Sequence, residues 1–245
     1  MAIQSKKLNM KPETSASAVR RNGNLDERIH RDIYSAIIGH KISPGTALQE
    51  DALAKVFGVS RTVIRKVLQK LAHEKLVDLF PNKGAFVAKP SAEVAREVFE
   101  MRRLLEGVIV GLAIERASVA DLERLVKLTK SEKLTMEKGD KKLRVKLSGD
   151  FHRELAALTG NSILCGILND LISRTSLIIA LYESPGAVPC SHNEHKEIAE
   201  ALKRRDVKKA IQYMDHHIGH IEAQIELSES HLGLDLKKLF GKKSW

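Results

Sequence analysis

Cysteine is nearly absent: the 245 residues hold two, Cys165 and Cys190. Their spacing is not that of a metal finger, and two cysteines make no disulfide framework. No apolar run is long enough to span a bilayer, and the first residues lack a secretory h-region. No basic amphipathic helix or lipidation signal points to a membrane surface. The expectation is a soluble, cytoplasmic chain with no membrane partner. Residues 92–230 contain no convincing strand, which implies an all-α region. Residues 1–24 have almost no large apolar side chains. Such a segment cannot bury enough surface to offset its ordering entropy, so a disordered basic arm is expected there.

What is present is a length sufficient for two cored domains and an uneven charge. Residues 1–90 carry 16 Lys+Arg against 8 Asp+Glu, while residues 91–245 carry 25 against 23. The basic excess therefore sits in the first third, as a phosphate-binding surface requires.

The densest pattern lies within that third, from Gln49 to Lys89. A helix is predicted over 50–57, with Leu53, Ala54 and Phe57 on one face. Gly58 supplies the left-handed turn, and Val59 plugs the gap between helices. Ser60 is placed to cap a second helix over 61–74, whose Ile64, Leu68 and Leu71 form its buried stripe. Arg61, Thr62, Arg65 and Lys66 stay off that stripe, at the end where a recognition helix meets base edges and phosphates. Strands over 76–80 and 85–88 flank Pro81-Asn82-Lys83-Gly84, a turn by its chemistry. Helix, turn, helix and hairpin together are a winged helix-turn-helix.

This stretch resembles the GntR family of bacterial transcription regulators. The resemblance rests on Pro44-Gly45, Leu53-Ala54, Val59-Ser60-Arg61-Thr62, Ile64-Arg65, Leu68, Leu71 and Asn82-Lys83-Gly84-Ala85-Phe86-Val87. It implies that Arg61 and Arg65 are the main base and phosphate readers, helped by Ser60 and Thr62, with the wing glycine Gly84 close to DNA; Lys83, at the wing tip, is placed to reach a phosphate or a neighbouring groove. The family often carries Arg or Lys early in the first motif helix. Here the residues are Gln49-Glu50-Asp51, so that helix is assigned no base contact.

Taken in order, the chain divides into the arm 1–24, a DNA-binding domain 25–90, an all-helical domain 91–230 and a tail 231–245. A helix over 25–39 presents Ile29, Ile33, Ile37 and Ile38 to one side. Ser91 caps the next helix. Helical patterns follow over 92–116, 119–137, 141–159, 162–183, 191–204 and 206–229, a bundle of about six helices. Ser184–Ser191 reads as a connection or a lid. The tail, with Leu232, Leu234, Leu236, Leu239 and Phe240 among lysines, reads as a short amphipathic helix.

The second region resembles the FCD domain, the effector-binding and dimerisation unit of the fatty-acid-regulator-like GntR branch. Glu100-x-Arg102, Leu105-Glu106, Phe151-His152, Leu155, Gly160-Asn161, Glu194-His195, Ile198, Ala201, Ala210, Met214 and His217-Ile218 carry that likeness. It implies a divalent metal (Zn, Ni or Mn) held by His152, His195 and His217, three imidazoles on three helices. It also implies a fourth ligand, an Asp one turn before the first His, where this chain has Ser148. Asp150 is two residues from His152 and points away on a regular helix. His192, His216 and His220 are nearby competitors. Arg102 suits the carboxylate of an organic-acid effector, or else a salt bridge to Glu106 at i, i+4. Asn161 reads as a cap.

The expected protein is mainly α: a ligand-responsive regulator, a repressor by the family's commoner habit. It binds a pseudo-palindromic operator as a homodimer and is not an enzyme. A metal-dependent hydrolase with an accessory DNA-binding domain is the alternative. A nucleoid-type architectural protein is a third.

Overall fold

The computed structural model of the chain describes residues 15–137, 141–184 and 192–227. The expected C-terminal tail, Cys190 and most of the 184–191 connection lie outside them. The first helix, α1 (Ser15–Ile38), corrects the expected boundary, since residues 15–24 continue it instead of belonging to an arm. Once a turn is nucleated each added residue costs little, and Ala16, Ala18, Arg20 and Arg21 are good helix formers. Ile29, Ile33, Ile37 and Ile38 are buried, as their spacing requires.

α2 (Glu50–Phe57) ends at Gly58, whose φ of 65° is the left-handed cap. Ser60 accepts from Val63 N–H and starts α3 (Arg61–His73), which buries Ile64, Val67, Leu68 and Leu71. β1 (Val77–Phe80) and β2 (Gly84–Val87) pair antiparallel, Val77 opposite Val87 and Phe80 opposite Gly84. The loop before α2 lines the other edge of β2 through Gly45 N–H to Val87 O and Leu48 N–H to Ala85 O, both 2.8 Å. That leaves neither edge of β2 bare.

Ser91 caps α4 (Ala92–Arg116) through Val94 N–H. α5 (Val119–Glu137), α6 (Lys141–Ala157), α7 (Ser162–Tyr182), α8 (His192–Lys203) and α9 (Val207–Ala223) complete the bundle. Asn161 caps α7 by accepting from Leu164 N–H. α9 stops at Ala223, short of the expected 229. Beyond Gln224 the chain returns to α7 instead, where Ile225 bridges Glu183. Ser184 N–H bonds Gln224 O at 3.0 Å and Glu226 N–H bonds Tyr182 O at 2.9 Å.

α7 corrects a second expectation. By length and composition it is apolar enough to cross a membrane, although it carries Asp170 and Arg174. Here it is a core helix, with Leu164, Leu168, Ile172 and Ile178 packed in the bundle. Its Leu177 joins the core of the winged helix instead. The joint between the two units is polar as well: Arg153 Nη2 donates to Tyr34 Oη at 2.6 Å, and His40 Nε2 lies 3.0 Å from the Ser176 carbonyl.

Candidate functional site

Two sites emerge, one on the surface of the winged helix and one inside the bundle. On α3, Arg61, Thr62, Arg65 and Lys66 are all exposed. α2 contributes more than was expected of it. Glu50 grips Arg65 with both oxygens, at 2.9 Å from Nε and 2.6 Å from Nη2. Asp51 lies 3.1 Å from Arg61 Nε. The hydrogen bond from Arg65 holds the Glu50 carboxyl below its ordinary pKa against the opposing effect of burial. Both arginine side chains remain more than half exposed, at 59% and 56%. Such surface pairs are worth at most about 1 kcal/mol, so they aim the guanidinium groups without locking them away from a ligand. At the wing, Asn82 and Gly84 take φ of 60° and 93°, and Lys83 stands exposed between them.

Inside the bundle, His152 on α6, His195 on α8 and His217 on α9 converge, all buried. Their Nε2 atoms face one another: His152 to His217 at 3.1 Å, His195 to His217 at 3.0 Å. Each Nδ1 meets a carboxylate. Glu106 bonds His152, Glu132 bonds His195 at 2.9 Å, and Glu194 bonds His217 at 2.8 Å. An ionised carboxylate only accepts, so each Nδ1 carries the hydrogen and each Nε2 lone pair turns to the centre. Three imidazoles with carboxylates behind them form the donor set of a divalent first-row metal. Tetrahedral Zn–N bonds of about 2.0–2.1 Å place neighbouring nitrogens roughly 3.3 Å apart, close to what is seen. The residues fit the ion.

Protonation would undo that arrangement, and the surroundings oppose it. Burial, reinforced by the charge of Arg102, lowers the His152 pKa to about 4. Burial and the neighbouring His195 keep that of His217 well below 6.5. Glu106 is raised by burial, but the charges of Arg102 and His152 outweigh this and leave it at about 2.

The competing histidines separate on position. His216 is exposed, and His220 bonds Glu194 and Gln224 outside the triad. The side chain of His192 lies outside the described residues. Asp150 pairs with Lys146 and Arg153, away from the triad as its spacing implied. Ser148 lines the cavity that His152 and His195 border, one turn before His152.

Arg102 also lines that cavity. Its two readings prove compatible. Nε donates to Glu106 at 2.7 Å and Nη1 lies 3.4 Å from Thr175 Oγ1, while the buried Nη2 has no hydrogen-bond partner. Sequence reasoning found the three histidines and Arg102 but not Glu132 or Glu194 as their supports. Glu132 is 63 residues from the ring it holds, and Glu194 serves His217 instead of its neighbour His195. No local pattern signals such pairs.

A winged helix-turn-helix joined to a helical domain with a cavity beside a buried histidine cluster is the architecture of a DNA-binding transcription regulator. The matches to known proteins agree. Residues 25–87 match the model of bacterial regulatory proteins of the gntR family, and residues 97–220, about half the chain, match that of the FCD domain. The chain belongs to the GntR family, in the group that carries an FCD domain. An uncharacterized HTH-type transcriptional regulator of Bacillus subtilis, YdhC, is 26% identical over 197 residues, 79% of this chain and 87% of that one. The Uxu operon regulator of Haemophilus influenzae is 27% identical over 225 residues, covering 84% and 80%. Among solved structures, Escherichia coli McbR/YncC shares the fold, with a TM-score of 0.72 and 21% identity over 81% of this chain and 95% of that one. These relatives are regulators, so the hydrolase alternative falls away.

The pKa shifts set a pH dependence. An unfolded His titrates near 6.5 and folded His152 near 4, so between these values the unfolded chain binds more protons. Stability then rises with pH across that window and is lost as pH falls through it. Glu106, shifted from 4.5 to about 2, removes further stability below 4.5. Thermal melts of chelator-treated protein are expected to show a melting temperature that is flat above pH 7 and falls steadily from pH 6.5 to 4. A flat profile across that range would contradict the assignment of buried neutral imidazoles.

Proposed function

We propose that this regulator is a cytoplasmic repressor whose operator affinity is set by a small organic acid held beside a divalent metal. The observation that carries the reading is one cavity bordered by two of the clustered histidines and by a buried guanidinium edge. His152 and His195 border it, clustered with His217 behind them, and the buried Nη2 of Arg102, which also borders it, has no hydrogen-bond partner. An ion on the three nitrogens would supply a Lewis-acid centre for a carboxylate oxygen. Ser148 is a neutral and weaker donor than the carboxylate it replaces, which leaves a coordination position for water or effector.

On the DNA side, Arg61 and Arg65 read bases, Ser60 and Thr62 contact the backbone at the helix start, and Lys83 with Gly84 brings the wing to the duplex. Two copies bind a pseudo-palindromic operator. The face proposed to join them is the exposed apolar stripe of Met101, Leu104 and Val108 on α4, beside Val207 and Ile211 on α9. Effector binding acts by favouring one arrangement of the paired winged helices over another, which needs different affinity for the two.

Three measurements bear on this. Arg61→Ala is expected to weaken binding to a selected operator by about 1–3 kcal/mol; unchanged affinity would remove α3 as the reading helix. Elemental analysis of protein purified without added metal is expected to give one divalent ion per chain, lost in His217→Ala; a metal-free protein that cannot be reloaded rules the metal out. Sedimentation should show a dimer that Leu104→Glu converts to monomer, and a variant still dimeric would move the interface elsewhere.

A further inference from the structure

We infer that the molecule read in the bundle cavity is a compact carboxylic acid with an apolar body, gripped by both domains at once. This rests on the acid-effector reading above and adds the class of acid and the route of its signal. The polar requirement is set by Arg102, buried and with an unpartnered Nη2 bordering the cavity. Other polar side chains border it too, among them Glu132, Arg144, Ser148, Glu183 and Gln224, but polar atoms make up the smaller part of its exposed surface. Ile172 and Ile179 on α7, Ile221 on α9, Ile225 just past it and Val145 on α6 all line it, and most of its exposed surface is apolar. A polyhydroxylated acid would press hydroxyls against these side chains, and a buried hydroxyl left without a partner loses its hydration for nothing. A hydrocarbon body of the same size leaves no polar group unmet and removes apolar surface from water. The cavity is small, about 70 Å³, which favours a compact body.

The sixth apolar side chain is what links this cavity to DNA. Ile38 lines it, yet belongs to α1 and to the core of the winged helix. Its carbonyl accepts from Ser176 Oγ at 3.2 Å, and Ser176 also lines the cavity. Arg153, next to His152, lines it too and donates to Tyr34 Oη at 2.6 Å. Thr175, which contacts Arg102, is followed by Ser176 at the joint and Leu177 in the winged-helix core. The cavity wall and the joint between domains are thus built from the same or adjacent residues. A ligand that packs on Ile38 and draws on Arg102 bears on both sides of that joint, without any intermediate element.

The test uses full-length protein loaded with Zn²⁺ and two acids of matched size and charge, isovalerate and glycerate, titrated calorimetrically. Isovalerate is expected to bind at least tenfold more tightly, and Ile179→Thr to narrow that ratio. Operator affinity, measured on a duplex selected from random sequence, is expected to change when isovalerate is added. Tyr34→Phe is expected to keep isovalerate binding within about twofold while at least halving that change. Preference for glycerate would overturn the apolar class. A full operator response in Tyr34→Phe would overturn the shared joint. Binding of neither acid would reject the acid-effector reading itself, and this inference with it.

Discussion

Three carboxylates buried with three imidazoles hold the helical domain in register. An ion taken into a protein interior loses several kcal/mol of hydration, which only close partners restore. Glu106 lies between Arg102 and His152, Glu132 against His195, and Glu194 between His217 and His220. These residues come from α4, α5, α6, α8 and α9. Apolar side chains can slide against one another at small cost, whereas a displaced carboxylate leaves a charge without a partner. Removing one member of such a pair costs about 3–5 kcal/mol. The polar centre therefore specifies how five helices meet, while the surrounding isoleucines and leucines provide the bulk of the burial.

Much of this could be read in the chain itself, wherever the physics is local. Ile29, Ile33 and Ile37 announce a buried stripe by spacing alone, and all three are buried. Ser60, Ser91 and Asn161 cap helices because a short side-chain oxygen beside a free N–H needs no distant partner. Where contacts are distant the reading stops. The end of α9 at Ala223 depends on Ile225 meeting Glu183, far away in sequence. α7 reads as amphipathic only weakly because it is buried by two different cores, and Leu177 serves the one its neighbours do not. The histidine trio was found through resemblance; the glutamates behind it were not, since nothing in a sequence ties Glu132 to a ring 63 residues on.

The helix α3 shows the opposite balance. Its arginines were legible from position, but their setting was not. Glu50 and Asp51, excluded from base contact by their charge, instead hold the two guanidinium groups in place. An arginine already oriented loses less side-chain freedom when it meets a base. The two carboxylates also offset the two arginine charges, so this corner adds little to general attraction for phosphate. If Arg61 and Arg65 read DNA as proposed, the acidic residues beside them favour discrimination over grip.

The chain has two cysteines and, among the described residues, only Cys165, a free thiol. The histidine trio gives it another way to be cross-linked. His152 and His217 are 65 residues apart and His195 and His217 are 22 apart. An ion held by all three would join these segments in the folded state and stabilise it by its binding free energy, since the unfolded chain offers no preformed site. Unlike a sulfur bridge, this staple needs no oxidant. It would form in a reducing environment and be undone by any chelator that outcompetes three imidazoles, which would make the integrity of the helical domain itself a reporter of free metal.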